Sequence, residues 1–224
     1  MQATVKFIVC YVTDRHALNV GPSGNREEAL AQQIETTVRA GVHWVQIREK
    51  DLQARKLADL TRAAIRACKN LRQGPDQGEP RVVVNDRWDV AWVVGAGGVH
   101  AGEKSLPIRV LAEERRAAGF ANFLIGASCH SLDGARKAAQ EGADYVFFGP
   151  VFATPAKAEF GAPQGLAKLE EVCSAVSIPV IAIGGITAEN AAACREAGAA
   201  GIAAIRLFQK KGDLREIVAK LTAR

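Results

Sequence analysis

The sequence predicts a (β/α)8 barrel of the TIM-barrel class, built as one domain over residues 1–224. Three observations carry this. Short apolar runs alternate with amphipathic helical patterns eight times along the chain, the count a (β/α)8 barrel needs. The apolar runs show little polar–apolar alternation, as expected of parallel strands covered on both faces. Four of the runs follow a glycine at the end of a helical pattern, in "AGVHWVQI", "GAGGVHA", "GADYVFFG" and "GAAGIAAI", where a left-handed residue stops the helix. The alternative is an open doubly wound sheet. It lacks support, because no GxGxxG follows the first apolar run.

In chain order, "KFIVCYVT" is the first strand and 26–40 the first helix. "HWVQI" precedes a helix at 53–70, "RVVVN" one at 87–94, and "GGVHA" one at 108–118. "NFLIGAS" precedes 132–141, "DYVFFGP" precedes 165–175, "PVIAIGG" precedes 188–196, and "AGIAAI" precedes 213–222. Within each helical stretch the apolar residues recur three and four positions apart. Two long connections remain, 71–80 and 152–163. The first enters a strand and reads as a spacer. The second leaves a strand at its C-terminal end, the side on which a barrel keeps its active site.

Composition narrows the function. Hydrophobic residues are 48% and charged residues 24%, ordinary for a soluble enzyme. No apolar run reaches the roughly 20 residues that span a bilayer, and the N-terminus lacks a signal-peptide pattern. Five scattered cysteines, Cys10, Cys68, Cys129, Cys173 and Cys194, contain no CxxC. Reduced thiols in a cytoplasm fit this usage better than disulfides or zinc. The net charge of +5 is spread over helices and mixed with acids. That pattern argues against nucleic acid and agrees with small anionic substrates.

In a barrel, all C-terminal strand ends face one mouth. The strands then deliver Thr13, Asp14 and Arg15; Gln46, Arg48 and Lys50; Asn85 and Asp86; His100; Ser128, Cys129 and His130; Thr154 and Lys157; Gly184 and Gly185; and Arg206. Gln46, Arg48 and Lys50 are alternate residues on one side while the strand continues. An amide, a guanidinium and an ammonium suit a polyanion carrying a polar base; the other reading is a charge cluster that pairs with itself. The glycine pair after the seventh strand suits a phosphate grip opening on a helix near Thr187, or a turn that merely needs glycine. Lys157 either closes over a leaving phosphate or stays solvated. His130 is a candidate acid or base, though "SCHSLDGA" also reads as a helix start capped by Ser131. His100 reads as a structural strand-end histidine bonded to backbone.

These residues converge on a family. "VQIREKDL", "VVVNDRWDVAWVVGAGGVHAGEKSLP", "IGASCHSLDGARKAAQEGADYVFFGPVFATPAK" and "IPVIAIGGITAENAAACREAGAAGIAAI" resemble the thiamine phosphate synthase and thiazole tautomerase superfamily, more closely its synthases. The resemblance implies a TIM barrel, a homodimer and a Mg²⁺ cofactor. The implied reaction joins hydroxymethylpyrimidine diphosphate to thiazole phosphate with loss of pyrophosphate. It implies that Gln46 holds the pyrimidine, and that Arg48, Lys50, Asn85 and Lys157 hold the diphosphate. Asp86 would bind Mg²⁺, Ser128 would meet the pyrophosphate, and Thr154 with Gly184 and Gly185 would meet the thiazole phosphate.

Three positions depart from the family pattern. Where the family carries "HLGQxD", this chain has "HAGEKS", so Ser105 replaces a second metal-binding Asp. Arg206 stands where a serine is expected after strand eight, and Ala156 replaces a threonine of the "TPTK" loop. Two other readings therefore stand beside the synthase. One is a thiazole tautomerase-like isomerase using His130. The other is a non-catalytic barrel that binds thiazole or thiamine phosphate.

Overall fold

A computed structural model describes residues 7–21, 24–70, 80–154, 162–210 and 212–223. Its eight strands are β1 (Ile8–Val12), β2 (Trp44–Ile47), β3 (Arg81–Asn85), β4 (Gly98–Ala101), β5 (Leu124–Cys129), β6 (Tyr145–Phe148), β7 (Val180–Ile183) and β8 (Gly201–Ala204). They close in chain order, every pair parallel, with β8 returning to β1 in the register Ile8↔Gly201. The helices are α1 (Arg26–Arg39), α2 (Ala54–Asn70), α3 (Trp88–Val94), α4 (Ile108–Ala117), α5 (Leu132–Gln140), α6 (Gly165–Ala175), α7 (Ala191–Glu196) and α8 (Leu214–Thr222). The (β/α)8 expectation holds element by element.

Strand parity explains the near-continuous apolar runs. Val9, Tyr11, Val45, Ile47, Val82 and Val84 face outward and pack beneath the helices. Their neighbours Cys10, Val12, Tyr145, Phe147, Ile181 and Ala203 face inward and fill the barrel with Trp44 and Leu124. Both faces are dry, so both parities are apolar. Each fully buried Leu, Ile, Val or Phe contributes about 1.5–3 kcal/mol.

The glycines expected at helix ends are left-handed: Gly41, Gly95, Gly142 and Gly198 have φ of 100°, 68°, 100° and 88°. They reverse the chain from helix to strand at a backbone angle that a side chain opposes. The Ser131 cap lies where the sequence suggests it. Ser131 accepts from the Gly134 N–H at 3.1 Å to begin α5, and Asp213 accepts from Arg215 to begin α8.

One helix starts late. The sequence placed a helix from 188, but α7 begins at Ala191. The Asn190 side chain accepts from the Thr187 N–H at 2.8 Å and donates to the Gly185 carbonyl at 2.9 Å. The Thr187 hydroxyl accepts from the Asn190 N–H. These local bonds compete with the first helical turn and hold 187–190 as a turn.

Candidate active site

The C-terminal ends of β2, β3 and β4 build one connected polar group. Gln46 lies inside the barrel, 2% exposed, and its Nε2 donates to Asn85 Oδ1 at 3.3 Å. Asn85 Nδ2 donates to Asp86 Oδ2 at 2.6 Å. Asp86 Oδ1 accepts from the Gly102 N–H at 3.2 Å and from the Ser105 hydroxyl. Gly102 N–H also reaches Ser105 Oγ at 2.7 Å. The carboxylate thus ties the ends of β3 and β4, and the Asn85 amide extends the group to β2.

Asp86 has a φ of 61°, the one left-handed non-glycine residue among those described. Such a conformation costs on the order of 1–2 kcal/mol outside glycine, and Asp tolerates it better than most. Here it is held from both sides. The Asp86 N–H donates to the His100 carbonyl at 2.9 Å, and the Asp86 carbonyl accepts from Trp88 at 3.1 Å. The strained backbone aims the carboxylate back across the rim toward Ser105.

His100 corrects the reading of it as bonded to backbone. Its ring is 1% exposed and lies between two hydroxyls, Tyr145 Oη at 3.1 Å from Nδ1 and Ser128 Oγ at 2.9 Å from Nε2. Burial pushes its pKa down to about 3, with the nearby Asp86 charge opposing and Arg48 assisting. The imidazole is therefore neutral near pH 7. Its backbone alone serves Asp86.

The charges of β1 do not present themselves to a ligand. Glu49, 4% exposed, gathers them. It accepts from the Thr13 hydroxyl at 2.7 Å, from the Arg15 N–H at 3.2 Å and from the Arg15 guanidinium at 2.9 Å. Arg15 also forks onto Asp51, both contacts at 2.6 Å. Asp51 first, then Glu49, hold the Arg15 guanidinium more firmly protonated than usual. Thr13 in turn accepts from the Arg48 N–H at 2.9 Å. Sequence reasoning passed over Glu49. The signal available was a carboxylate flanked by Arg48 and Lys50 directly after an apolar strand.

The expected alternation of Gln46, Arg48 and Lys50 ends early, because β2 stops at Ile47. Gln46 is buried in the barrel, Arg48 is half-buried, and Lys50 is exposed in the following turn. Gly184 and Gly185 do adopt left-handed angles, φ 94° and 66°. A Cβ on Gly184 would lie 2.5 Å from Pro150 Cα, and one on Gly185 would lie 2.6 Å from the Ala153 carbonyl oxygen. Their first requirement is close packing of the β6 loop, which the Phe152 N–H seals onto the Gly184 carbonyl at 3.0 Å. Arg206 begins a 3-10 turn, Arg206–Phe208, and is exposed.

His130 precedes the Ser131 cap of α5, and its Nδ1 donates to the Gly149 carbonyl. Its Nε2 lies 3.9 Å from Glu103. Thr154 is half-buried at the end of a described segment. Lys157 and Ala156 lie outside the described residues. No three His, Cys, Asp or Glu side chains group as a metal cage among the described residues. Asp86, with Ser105 beside it, is instead one carboxylate and one hydroxyl. That set suits an ion shared with substrate phosphates, since Mg²⁺ takes one or two carboxylates and keeps several waters. Among the described residues no helix is long and apolar enough to cross a membrane.

Comparison with known proteins agrees with the geometry. Residues 10–208 match the family model described as thiamine monophosphate synthase. The chain is 41% identical over 221 residues to a putative thiamine-phosphate synthase of Geobacter sulfurreducens, covering 99% of this chain and 95% of that one. It is 44% identical over 174 residues to the thiamine-phosphate synthase of Methanoculleus marisnigri, covering 78% and 77%. Its structure superposes on the thiamine phosphate pyrophosphorylase of Pyrococcus furiosus with a TM-score of 0.77 at 30% identity, covering 96% and 93%. With the barrel, the rim group and these matches in agreement, the chain belongs to the thiamine monophosphate synthase family.

Proposed function

We propose that this transferase couples hydroxymethylpyrimidine diphosphate to thiazole phosphate and releases pyrophosphate, forming thiamine phosphate. The observation that carries this reading is the hydrogen-bonded series Gln46–Asn85–Asp86–Ser105 at the mouth, in a chain with these relatives. It sets a buried amide beside a carboxylate at the distance of adjoining side chains. A base attached to a diphosphate needs both groups.

The chemistry is heterolysis followed by capture. The bond from the pyrimidine methylene to the diphosphate oxygen breaks, and its electron pair leaves with pyrophosphate. The thiazole nitrogen lone pair then forms the new bond to the methylene. Catalysis therefore requires stabilisation of the leaving charge and alignment of the two partners. Gln46 meets the polar edge of the pyrimidine. Its Oε1 and second N–H are directed by the bond to Asn85. Arg48, Lys50, Asn85 and Lys157 receive the diphosphate, and Ser128 adds a hydroxyl. Thr154, Gly184 and Gly185 receive the thiazole phosphate, and Arg206 supplies a further cation near strand eight.

Asp86 would hold Mg²⁺ arriving with the diphosphate, through the carboxylate lone pairs that the Ser105 hydroxyl leaves open. When bound, the ion neutralises charge on the leaving group. Asp86→Asn keeps the bonds to Gly102 and Ser105 nearly isosteric while removing the charge. We expect it to lower kcat by about 10²–10³, the scale of one electrostatic stabiliser. A pyrophosphate-release assay across a Mg²⁺ series measures this. Metal-independent turnover in the parent chain, unchanged in Asp86→Asn, would overturn the metal role. The five thiols, all free, suit the reducing cytoplasm as the working compartment, and a homodimer is the assembly we would test first by sedimentation.

A further inference from the structure

We propose that Tyr145 and His100 are positioning residues that set the direction of the Ser128 hydroxyl, making Ser128 a hydrogen-bond donor to an anionic diphosphate oxygen. The proposal rests on the diphosphate reading of the mouth given above.

Three side chains from three strands form a line through the barrel. Tyr145 on β6 is 1% exposed, His100 on β4 is 1% exposed, and Ser128 on β5 is half-buried at the rim. Tyr145 sits inside the strand ladder opposite Gly126, and Gly126 sits opposite His100. A Cβ on Gly126 would overlap the Tyr145 ring. The glycine thus lets the phenol cross β5 and reach the imidazole on the far side. Two residues on, Ser128 shares the inward face of β5 with Gly126. The Tyr145 ring is fixed edge-on against Trp44, centroids 4.7 Å apart, and the His100 ring lies 4.3 Å from Phe147.

A neutral imidazole has one N–H and one lone pair, so the line has two possible polarities. In the first, the phenol donates to Nδ1, Nε2–H donates to Ser128 Oγ, and the Ser128 hydrogen points away from the ring. In the second, Nδ1–H donates to the phenol and Ser128 donates to Nε2. The second polarity strands the Tyr145 proton. Among the described residues, His100 is the hydrogen-bond partner of that hydroxyl. A buried O–H without an acceptor forfeits its solvation and is disfavoured. Deprotonation offers no escape in a site this dry. The first polarity therefore wins, by roughly five-fold or more in population.

The consequence lies at the mouth. With its oxygen occupied by Nε2–H, Ser128 turns its own hydrogen toward the open rim. An anionic oxygen there meets a donor. In the second polarity it would meet only lone pairs. A lone serine would choose its rotor freely and spend rotor entropy on binding, whereas this one is set beforehand.

The test begins on the substrate-free protein labelled with ¹⁵N at the imidazoles. A long-range ¹H–¹⁵N spectrum reads the tautomer, with His100 assigned by its loss in His100→Gln. The expected pattern is Nε2–H, and Nδ1–H in the parent chain would overturn the proposal with no variant needed. Tyr145→Phe keeps the ring packing and removes the donor. It should move His100 off the pure Nε2–H pattern and weaken the affinity for inorganic pyrophosphate with Mg²⁺ about ten-fold, one charged hydrogen bond's worth. Ser128→Ala should lose a similar factor, and the double variant no more than Ser128→Ala alone. An unchanged tautomer or unchanged pyrophosphate affinity in Tyr145→Phe would refute the positioning role. A failed synthase assay, with these two readouts as expected, would remove the proposed function and leave the relay standing.

Discussion

At the scale of single residues, Ser105 is the position where this chain differs most consequentially from the pattern its sequence resembles. Its hydroxyl donates to Asp86, so it consumes a carboxylate lone pair where an aspartate would add lone pairs. Asp86 keeps its place because Gly102, Asn85 and Ser105 all donate to it. Ser105→Asp puts two carboxylates side by side. Like charges at that range repel without a cation and bind a divalent ion more strongly with one. The expected outcome is a lower Mg²⁺ concentration for half-maximal pyrophosphate binding, by about ten-fold. Calorimetric titration of Mg²⁺ at fixed pyrophosphate checks it. No change in the metal requirement would mean that position 105 does not face the ion.

At the scale of elements, the loops after β1 and β2 behave as one piece because of Glu49. The Glu49 side chain is 1% exposed and the Arg15 guanidinium 11%, so this pair is almost dry. Asp51 bonds the same guanidinium but is 57% exposed. Removing one partner of a buried pair typically costs 3–5 kcal/mol, while an exposed pair contributes about 0–1 kcal/mol. Glu49→Ala should therefore destabilise the chain by about 3 kcal/mol, since Asp51 still attends Arg15. Asp51→Ala should cost far less, because its carboxylate stays in water, where an ion pair is screened. Urea midpoints of the two variants test the order, and comparable losses would reverse the assignment of which carboxylate holds the loops. Arg48, carried on the same turn through its N–H to Thr13, should lose alignment in Glu49→Ala as well.

At the scale of the whole molecule, one buried neutral histidine couples folding to pH. Burial pushes the His100 pKa down to about 3 in the folded barrel, against about 6.5 in the unfolded chain. Between those values the unfolded chain carries one more proton, so stability rises with pH through that window and is fully present above about 6.5. On acidification this group removes about 1.4 kcal/mol per pH unit at the steepest. His100→Gln should flatten the stability–pH curve between pH 4 and 6.5, whatever its offset. Denaturant unfolding at several pH values measures both slopes. Equal slopes would show that His100 takes up its proton in the folded barrel near its ordinary pKa.

The order and type of all eight strand–helix units followed from the sequence. Burial on both faces writes apolar runs without alternation, and left-handed helix ends demand glycine at Gly41, Gly95, Gly142 and Gly198. Both are local constraints, so a single segment reveals them. The rim residues Gln46, Asn85 and Asp86 were also legible, as polar groups directly after buried strands. Which of them touch was decided only by closure of the barrel. His100 meets Tyr145 and Ser128 across 45 and 28 residues of chain, and Glu49 meets Thr13 and Arg15 across 36 and 34. Hydrogen bonds of that span depend on strand register and, at His100, on a missing Cβ at Gly126. Neither leaves a periodic trace in the chain, so the sequence determined which groups reach the mouth and the tertiary structure determined their partners.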